Sequence, residues 1–193
     1  MKAICVFCGS STGLNKIYIK TAQQLGRLLV EQKTALVYGG ASVGLMGVLA
    51  DEVLKLGGKV YGVIPRAIFQ KEVAHSNLTE LFVVESMHER KQKMYDLSDA
   101  FIAMPGGIGT LEEMFEILTW AQLGFHQKAC GILNVNGYFD DLLKFIDHMI
   151  GENFLKEKNK NLFLNDSSPH KLLEKIQNYK AFSESKWIEK KDL

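Results

Sequence analysis

Residues 100–113 read AFIAMPGGIGTLEE, an apolar run followed by a glycine-rich turn and the start of a helical pattern. The run AFIAM is short and unbroken, as expected of a β-strand that is buried on both faces. Pro105 and three glycines end this strand. The following LEEMFEILTWAQL places apolar residues at helical spacing, and Thr110 is predicted to be the N-cap of that helix.

The same alternation of apolar runs and helical patterns extends through most of the chain. It predicts an α/β fold of the doubly wound, Rossmann-like type, with a mostly parallel sheet and helices on both faces. The six predicted strands lie in KAICVFC, TALVYGG, KVYGVIP, LFVVES, AFIAMP and ACGILNV. Beyond about residue 151, LFLN (162–165) predicts a short edge strand and PHKLLEKIQNYKAF (169–182) a closing helix. We expect residues 1–193 to form a single domain.

Composition narrows the possible partners and the compartment. A net charge of +1 gives no basic excess for nucleic acid, and no apolar run approaches the length of a membrane span. We therefore expect a cytoplasmic protein with reduced cysteines. Cys5 and Cys8 form a CxxC, but inside a strand this spacing places them on opposite faces, which disfavours a redox pair. The five histidines are scattered, and no metal site is predicted.

Three glycine-containing stretches follow predicted strands: residues 8–13, 38–47 and 105–110. Ligands of parallel sheets bind beyond the carboxyl ends of the strands, and glycines beside a helix start favour an anion, phosphate above all. Each stretch could also be an ordinary tight connection. The glycines of 38–47 do not have GxGxxG spacing and no acidic residue ends the next strand, which argues against NAD. No cofactor is predicted.

Two charged residues have both a functional and an ordinary interpretation. Arg90 interrupts the apolar helical stripe formed by Met87, Met94 and Leu97, so its guanidinium needs an anion, or else extends to solvent or pairs with a structural carboxylate. Glu113 could form a T-x-x-E capping box with Thr110, or could be a carboxylate at the mouth of the anion site.

Four further residues carry little functional signal when taken alone. Lys91 reads as a solvated charge and Glu72 as a surface residue in a polar loop. Glu112 could complement the helix dipole, and Thr119 is most simply a packing residue. Spacing alone gives none of them a role in binding.

The motifs VFCGSS, YGGASVGLMG, GVIP, MHERKQKM and PGGIGTLEE occur in this order. Together they resemble the Lonely Guy family of cytokinin riboside 5′-monophosphate phosphoribohydrolases, a family often labelled "possible lysine decarboxylase". The resemblance covers roughly residues 2–155, and its paired signatures MHxRKxxM and PGGxGTxxE are highly specific.

The resemblance implies a nucleotide-binding domain that hydrolyses the N-glycosidic bond of cytokinin riboside 5′-monophosphates or AMP. The products would be a free adenine-type base and ribose 5-phosphate. It implies that Arg90 and Glu113 are catalytic, and that the protein is a homodimer with sites near the subunit interface. With the glycine stretches included, the predicted substrate-binding residues are Gly40, Ser42, Glu72, Arg90, Lys91, Gly106, Gly107, Ile108, Gly109, Thr110, Leu111, Glu112, Glu113 and Thr119.

Two other functions stay open at this point. A nucleotide-binding or sensing module of the same fold would bind without hydrolysing, and this interpretation gains if Glu113 only caps its helix. A pyridoxal phosphate decarboxylase would need a lysine placed for a Schiff base and an acidic partner for the pyridinium nitrogen. No lysine of the sequence stands in a recognisable context of that kind.

Overall fold

The computed structural model describes residues 1–69 and 74–180. Seven parallel strands form one sheet with the order β4-β3-β2-β1-β5-β6-β7. The strands are β1 Ala3–Phe7, β2 Ala35–Tyr38, β3 Val60–Pro65, β4 Glu80–Val84, β5 Ala100–Ala103, β6 Ala129–Leu133 and β7 Leu164–Asp166. All six predicted strands are present, and the predicted edge strand pairs with β6. The doubly wound, Rossmann-like prediction is confirmed.

Seven helices of the described residues connect and cover the strands. They are α1 Ile17–Glu31, α2 Gly44–Lys55, α3 Arg66–Phe69, α4 Met87–Asp96, α5 Ile108–Leu123, α6 Asp140–Gly151 and α7 Pro169–Gln177. The predicted closing helix is thus shorter than its pattern, and the last two predicted residues, 181 and 182, lie outside the described residues. Ser86 caps α4 and Ser168 caps α7, because each hydroxyl oxygen accepts a hydrogen bond from the backbone amide three residues later in the chain.

The sheet separates two apolar layers. One contains the inward faces of α1, α2 and α7, and the other those of α4, α5 and α6. Alternate side chains of each strand enter opposite layers, as the two-residue period of a strand requires. Cys8 packs in the first layer and Cys5 in the second, so the predicted separation of the CxxC is confirmed. Burial raises the pKa of both thiols, which makes them unreactive.

The strand order creates one point of reversal at the centre of the sheet. From β1 the chain proceeds outward through β2, β3 and β4, and it then returns to β5 on the other side of β1. The connections that leave β1 and β5 therefore diverge and open a crevice at the carboxyl edge, where such sheets bind ligands. None of the helices in residues 1–69 and 74–180 is long and apolar enough to cross a membrane.

Candidate active site

Two backbone hydrogen bonds tie the glycine stretches together at the carboxyl edge, and a third joins the second stretch to His75. The amide of Gly9 donates to the carbonyl of Pro105 at 3.1 Å, and the amide of Leu45 donates to the carbonyl of Gly9 at 3.0 Å. The amide of His75 donates to the carbonyl of Gly40, also at 3.0 Å. The predicted convergence of the three stretches is confirmed, and it joins the loops after β1, β2 and β5 into one backbone frame.

The helix after β5 begins earlier than the sequence predicts. Gly107, with φ −92° and ψ −157°, is its N-cap, and α5 starts at Ile108. Thr110 therefore lies inside the first turn, 5% exposed, where its side chain packs against Gly106. The prediction that Thr110 is the N-cap is wrong, because extended Gly107 lets the helix start three residues sooner. The capping-box interpretation of Glu113 fails with it.

The glycine turn presents backbone donors to open space. The first N–H groups of a helix have no intrahelical acceptor, and the dipole makes this end positive. Gly107, Ile108 and Gly109 are exposed, and no atom of residues 1–69 and 74–180, other than those of neighbouring residues in the chain, lies within 4 Å of the position a Cβ of Gly107 or Gly109 would occupy. The hydroxyl of Tyr138 donates to the Gly106 carbonyl at 2.6 Å, and this hydrogen bond stabilises the turn. An anion can therefore approach this backbone closely.

Arg90 of α4 and Glu113 of α5 meet at the side of this turn. The guanidinium Nη2 lies 3.4 Å from the Glu113 Oε1, and the two side chains are 12% and 11% exposed. Arg90 therefore does not extend to solvent. Because the capping box is absent, Glu113 is available as a buried carboxylate rather than as a helix cap.

The surroundings of Glu113 keep its carboxyl close to half ionised at neutral pH. Burial raises the pKa of Glu113 to about 7, although the charge of Arg90 acts in the opposite direction. Glu112 and Glu116 also raise this pKa, and Lys91 lowers it. A carboxylate whose pKa lies near the working pH is suited to accept and return a proton.

Lys91 is not the solvated charge that its spacing suggests. Its side chain is 11% exposed, and its Nζ donates to Glu112 at 2.6 Å and to Glu116 at 2.9 Å. Burial disfavours the ammonium, but these two hydrogen bonds prevail and raise the pKa of Lys91. The difference arises because Lys91 of α4 reaches two carboxylates of α5, which the one-dimensional pattern of α4 cannot show.

Two buried polar atoms of this cluster have no hydrogen-bond partner among the residues that the structure describes. They are the Nε of Arg90 and the Oε2 of Glu116. Buried polar groups are almost always paired, with protein or with water. The cluster therefore keeps one donor and one acceptor available for a water molecule or a ligand hydroxyl.

The remaining predicted site residues fall into four groups. Gly40 has φ +79°, which favours glycine, and it lies with Ser42 in the loop after β2. Thr119 is exposed and donates to the Phe115 carbonyl, about 9 Å along the helix axis from Glu113, so it is not brought to the charged pair. Glu72 lies outside the described residues. The partly buried Leu111 continues the first turns of α5.

The structure adds three residues that the sequence analysis did not select. Glu116 could have been found, since it follows Glu112 by four residues and shares its helix face. Tyr138 carried no signal and Gly39 was marked only as part of the glycine stretch 38–47, because their contacts with the site come from distant parts of the chain. No group of three or more potential metal ligands forms within the described ranges.

Comparison with known families gives a consistent result. The family model described as "Possible lysine decarboxylase" matches residues 46–176. The cytokinin riboside 5′-monophosphate phosphoribohydrolase LOG5 of Arabidopsis thaliana is 44% identical over 196 residues, 98% of this chain and 86% of the relative. LOG7 of the same species is 46% identical over 178 residues, 92% of this chain and 82% of the relative.

Solved structures with the same fold are more distant in sequence. The molybdenum cofactor binding protein from Rippkaea orientalis has a TM-score of 0.67 at 23% identity, covering 91% of this chain and 95% of that protein. The Moco carrier protein from Chlamydomonas reinhardtii has a TM-score of 0.69 at 18% identity, with 91% and 95% covered. At these identities the similarity establishes the fold alone.

Proposed function

Because the chain belongs to the Lonely Guy family of cytokinin riboside 5′-monophosphate phosphoribohydrolases, we propose that it is a nucleoside 5′-monophosphate hydrolase. Its substrates are cytokinin riboside 5′-monophosphates, AMP or both, and its products are the free adenine-type base and ribose 5-phosphate. The observation that carries the proposal is the largely enclosed Arg90–Glu113 pair beside the glycine turn.

The proposed reaction breaks the bond between the ribose C1′ and the base nitrogen. The bonding electrons leave with the base, positive charge develops on the ribose ring, and a water oxygen bonds to C1′. One proton of that water passes to the base, so that atoms and charge balance. The ionised Glu113 stabilises the ribose charge and takes the proton from the attacking water. With its pKa near 7, it can then return that proton.

Arg90 has a different task in this proposal. A guanidinium stays protonated at all physiological pH values, so it anchors and orients rather than transferring protons. Its charge keeps part of the Glu113 population ionised at neutral pH. Its unpaired Nε is the donor available for the substrate or for the attacking water.

The phosphate group binds at the start of α5 in this proposal. The exposed backbone from Gly107 to Gly109 and the positive end of the helix dipole suit a dianion. Binding energy from the phosphate, which is remote from the breaking bond, positions the ribose against Glu113. Nucleosides that lack the phosphate are therefore expected to react poorly.

The family resemblance also supports a homodimer with its sites near the subunit interface. We further propose that the protein works in the cytosol without a cofactor. Its three cysteines are free and buried, which suits a reducing compartment. Light scattering coupled to size-exclusion chromatography tests the dimer, and a monomer mass would contradict it.

A decarboxylase activity has no support from the charged cluster. A Schiff-base lysine must lose its proton readily. The ion pairs of Lys91 instead raise its pKa, so the lysine beside the Arg90–Glu113 pair stays protonated.

The experiment that tests the proposed function is chromatography of the reaction products. The purified chain is incubated with AMP, isopentenyladenosine monophosphate and adenosine, and free base and ribose 5-phosphate are quantified. We expect base from at least one nucleotide, and a kcat/KM for adenosine lower by about a hundredfold or more than that for AMP. If a nucleotide raises the melting temperature of the protein but no base is released, the protein is a nucleotide sensor and not an enzyme. Comparable rates on adenosine and AMP would contradict the role of the phosphate.

A further inference from the structure

The guanidinium of Arg90 lies directly over Gly39, the first residue after β2. A Cβ at Gly39 would stand 3.3 Å from the Arg90 Cζ and would overlap its Nη2. Non-bonded atoms cannot overlap in this way. The space that a methyl group would fill is therefore the space that the guanidinium occupies.

Gly39 needs no glycine for its own backbone. Its φ is not among the positive values of this chain, whereas Gly40 next to it has φ +79°. Alanine can adopt the Gly39 conformation without strain. Apart from Arg90, the nearest atom to the added methyl group is the Sδ of Met46 at 3.2 Å, the end of a flexible side chain that can move.

The guanidinium has few other positions to take. Its Nη2 also lies 3.4 Å from the Glu113 carboxylate, and its Nη1 lies 3.9 Å from the Met87 Sδ. The side chain is 12% exposed, so it is enclosed by protein and not free to move into solvent. A methyl group at Gly39 would therefore displace the guanidinium by about an ångström from its place beside Glu113.

We propose that Gly39 is a positioning residue for the proposed hydrolysis: its missing side chain forms the seat that holds the Arg90 guanidinium against Glu113. This inference rests on the proposed function for its catalytic consequence, but the seat itself is a property of the fold. A displacement of about 1 Å at a reacting group can lower a rate by about a hundredfold.

The test is a double-mutant cycle with Gly39→Ala, Arg90→Ala and the combined variant. Thermal unfolding is measured first, because it does not depend on activity. In the presence of Arg90, Gly39→Ala is expected to lower Tm by about 4–8 °C, as overpacking does. In the Arg90→Ala background the same change is expected to shift Tm by less than about 1 °C. Equal Tm losses in both backgrounds would overturn the proposal that Gly39 seats Arg90.

Hydrolysis of the better of AMP and isopentenyladenosine monophosphate is then measured on the same four proteins. Gly39→Ala is expected to lower kcat by about a hundredfold while KM changes by less than about threefold, and to cause no further loss in the Arg90→Ala background. Full activity of Gly39→Ala, or losses that multiply in the combined variant, would overturn the positioning role. If the wild-type chain releases no base from either nucleotide, the proposed function fails, and the melting cycle still decides whether Gly39 seats Arg90.

Gly151→Ala is the matched control. Gly151 ends α6 with an ordinary φ, and no atom of the described part of the chain, other than those of neighbouring residues, lies within 4 Å of an added Cβ. The same chemical change there is expected to leave the hydrolysis rate at the wild-type value and not to lower Tm. A loss equal to that of Gly39→Ala would mean that any added methyl group, not the seat, causes the effect.

Discussion

At the scale of single residues, the site depends on the Glu113 carboxylate, whose pKa is set by the opposing effects of burial and of a neighbouring positive charge. Burial alone would keep Glu113 protonated, and Arg90 at 3.4 Å opposes this. The result is a pKa of about 7 for Glu113, where both protonation states are populated at physiological pH. Such a group can activate water and return the proton in one catalytic cycle.

The first prediction concerns the titration of Glu113. Carbon NMR of the free protein should show the Glu113 carboxyl titrating near pH 7, against an ordinary value of 4.5. Arg90→Ala removes the charge that favours the carboxylate, so the pKa of Glu113 should rise further. The rate of AMP hydrolysis by the wild type should accordingly rise with pH through about 7. Titration near 4.5 in the wild type would refute the proposed balance.

The same pKa has a consequence for stability. The folded-state pKa of Glu113 is raised above its unfolded value, so the folded protein binds more protons between about pH 4.5 and 7. Ionisation of Glu113 therefore lowers the free energy of unfolding as pH rises through that window, and below pH 4.5 this penalty is absent.

Sequence alone identified this pair but could not choose its role. Thr110 and Glu113 have the spacing of a capping box, and only the early helix start at Ile108 removes that interpretation. Arg90 interrupts an apolar stripe whether it reaches solvent or a carboxylate. The choice depends on which residues are brought close by packing, and the spacing within one helix carries no such information.

At the scale of elements, α4 and α5 together build the charged cluster. Lys91 of α4 joins Glu112 and Glu116 of α5, and this bridge holds the helix that carries Arg90 against the one that carries Glu113. Lys91 also lowers the pKa of Glu113. The bridge is mostly enclosed on the lysine side, so solvent screens it less than a surface ion pair.

The second prediction concerns this bridge. Lys91→Met keeps the length of the side chain but leaves Glu116, 24% exposed, without its partner. We expect the free energy of unfolding to fall by about 1–3 kcal/mol, the cost of an unpaired and partly screened buried charge. Chemical denaturation measures it. Lys144→Met is the control: its ion pair with Asp141 is solvent-exposed, so stability should not change, and equal losses in both variants would contradict the bridge.

The third prediction concerns the turn between β5 and α5. A Cβ at Gly106 would overlap the Thr110 Oγ1 and stand 2.8 Å from the Gly9 amide nitrogen. Gly106→Ala should therefore lower the free energy of unfolding by about 1–3 kcal/mol through overpacking. Gly109→Ala adds the same methyl group to the same turn in open space and should be at least as stable as the wild type. Thermal unfolding distinguishes the two variants. A Gly106→Ala variant as stable as the wild type would refute the close packing of this turn.

At the scale of the whole molecule, the topology explains why distant stretches form one site. The strand order reverses between β1 and β5, and the loops after β1, β2 and β5 join by backbone hydrogen bonds at that edge. The sheet supplies a rigid frame, and α4 and α5 place charged side chains over one part of it. The proposed ligand site at the carboxyl edge of the sheet is therefore a consequence of the fold rather than of any single motif.

The fold was largely predictable because its signal is periodic. Each buried parallel strand is a short apolar run, and each covering helix has an apolar stripe, so strands and helices could be placed from the printed sequence. The seating of Arg90 on Gly39 and the support of Gly106 by Tyr138 join residues more than 30 positions apart. Such contacts follow from the packed structure, and no local pattern encodes them.

The central claim is that the Arg90–Glu113 pair cleaves the N-glycosidic bond. The most direct test is the rate of adenine-type base release from the better of AMP and isopentenyladenosine monophosphate by Glu113→Gln, compared with the wild type at pH 8. Glutamine keeps the shape of the side chain but cannot accept a proton. We predict a rate lower by about a thousandfold, with nucleotide binding and cooperative unfolding retained. A folded Glu113→Gln variant that releases base within about tenfold of the wild-type rate would contradict the account.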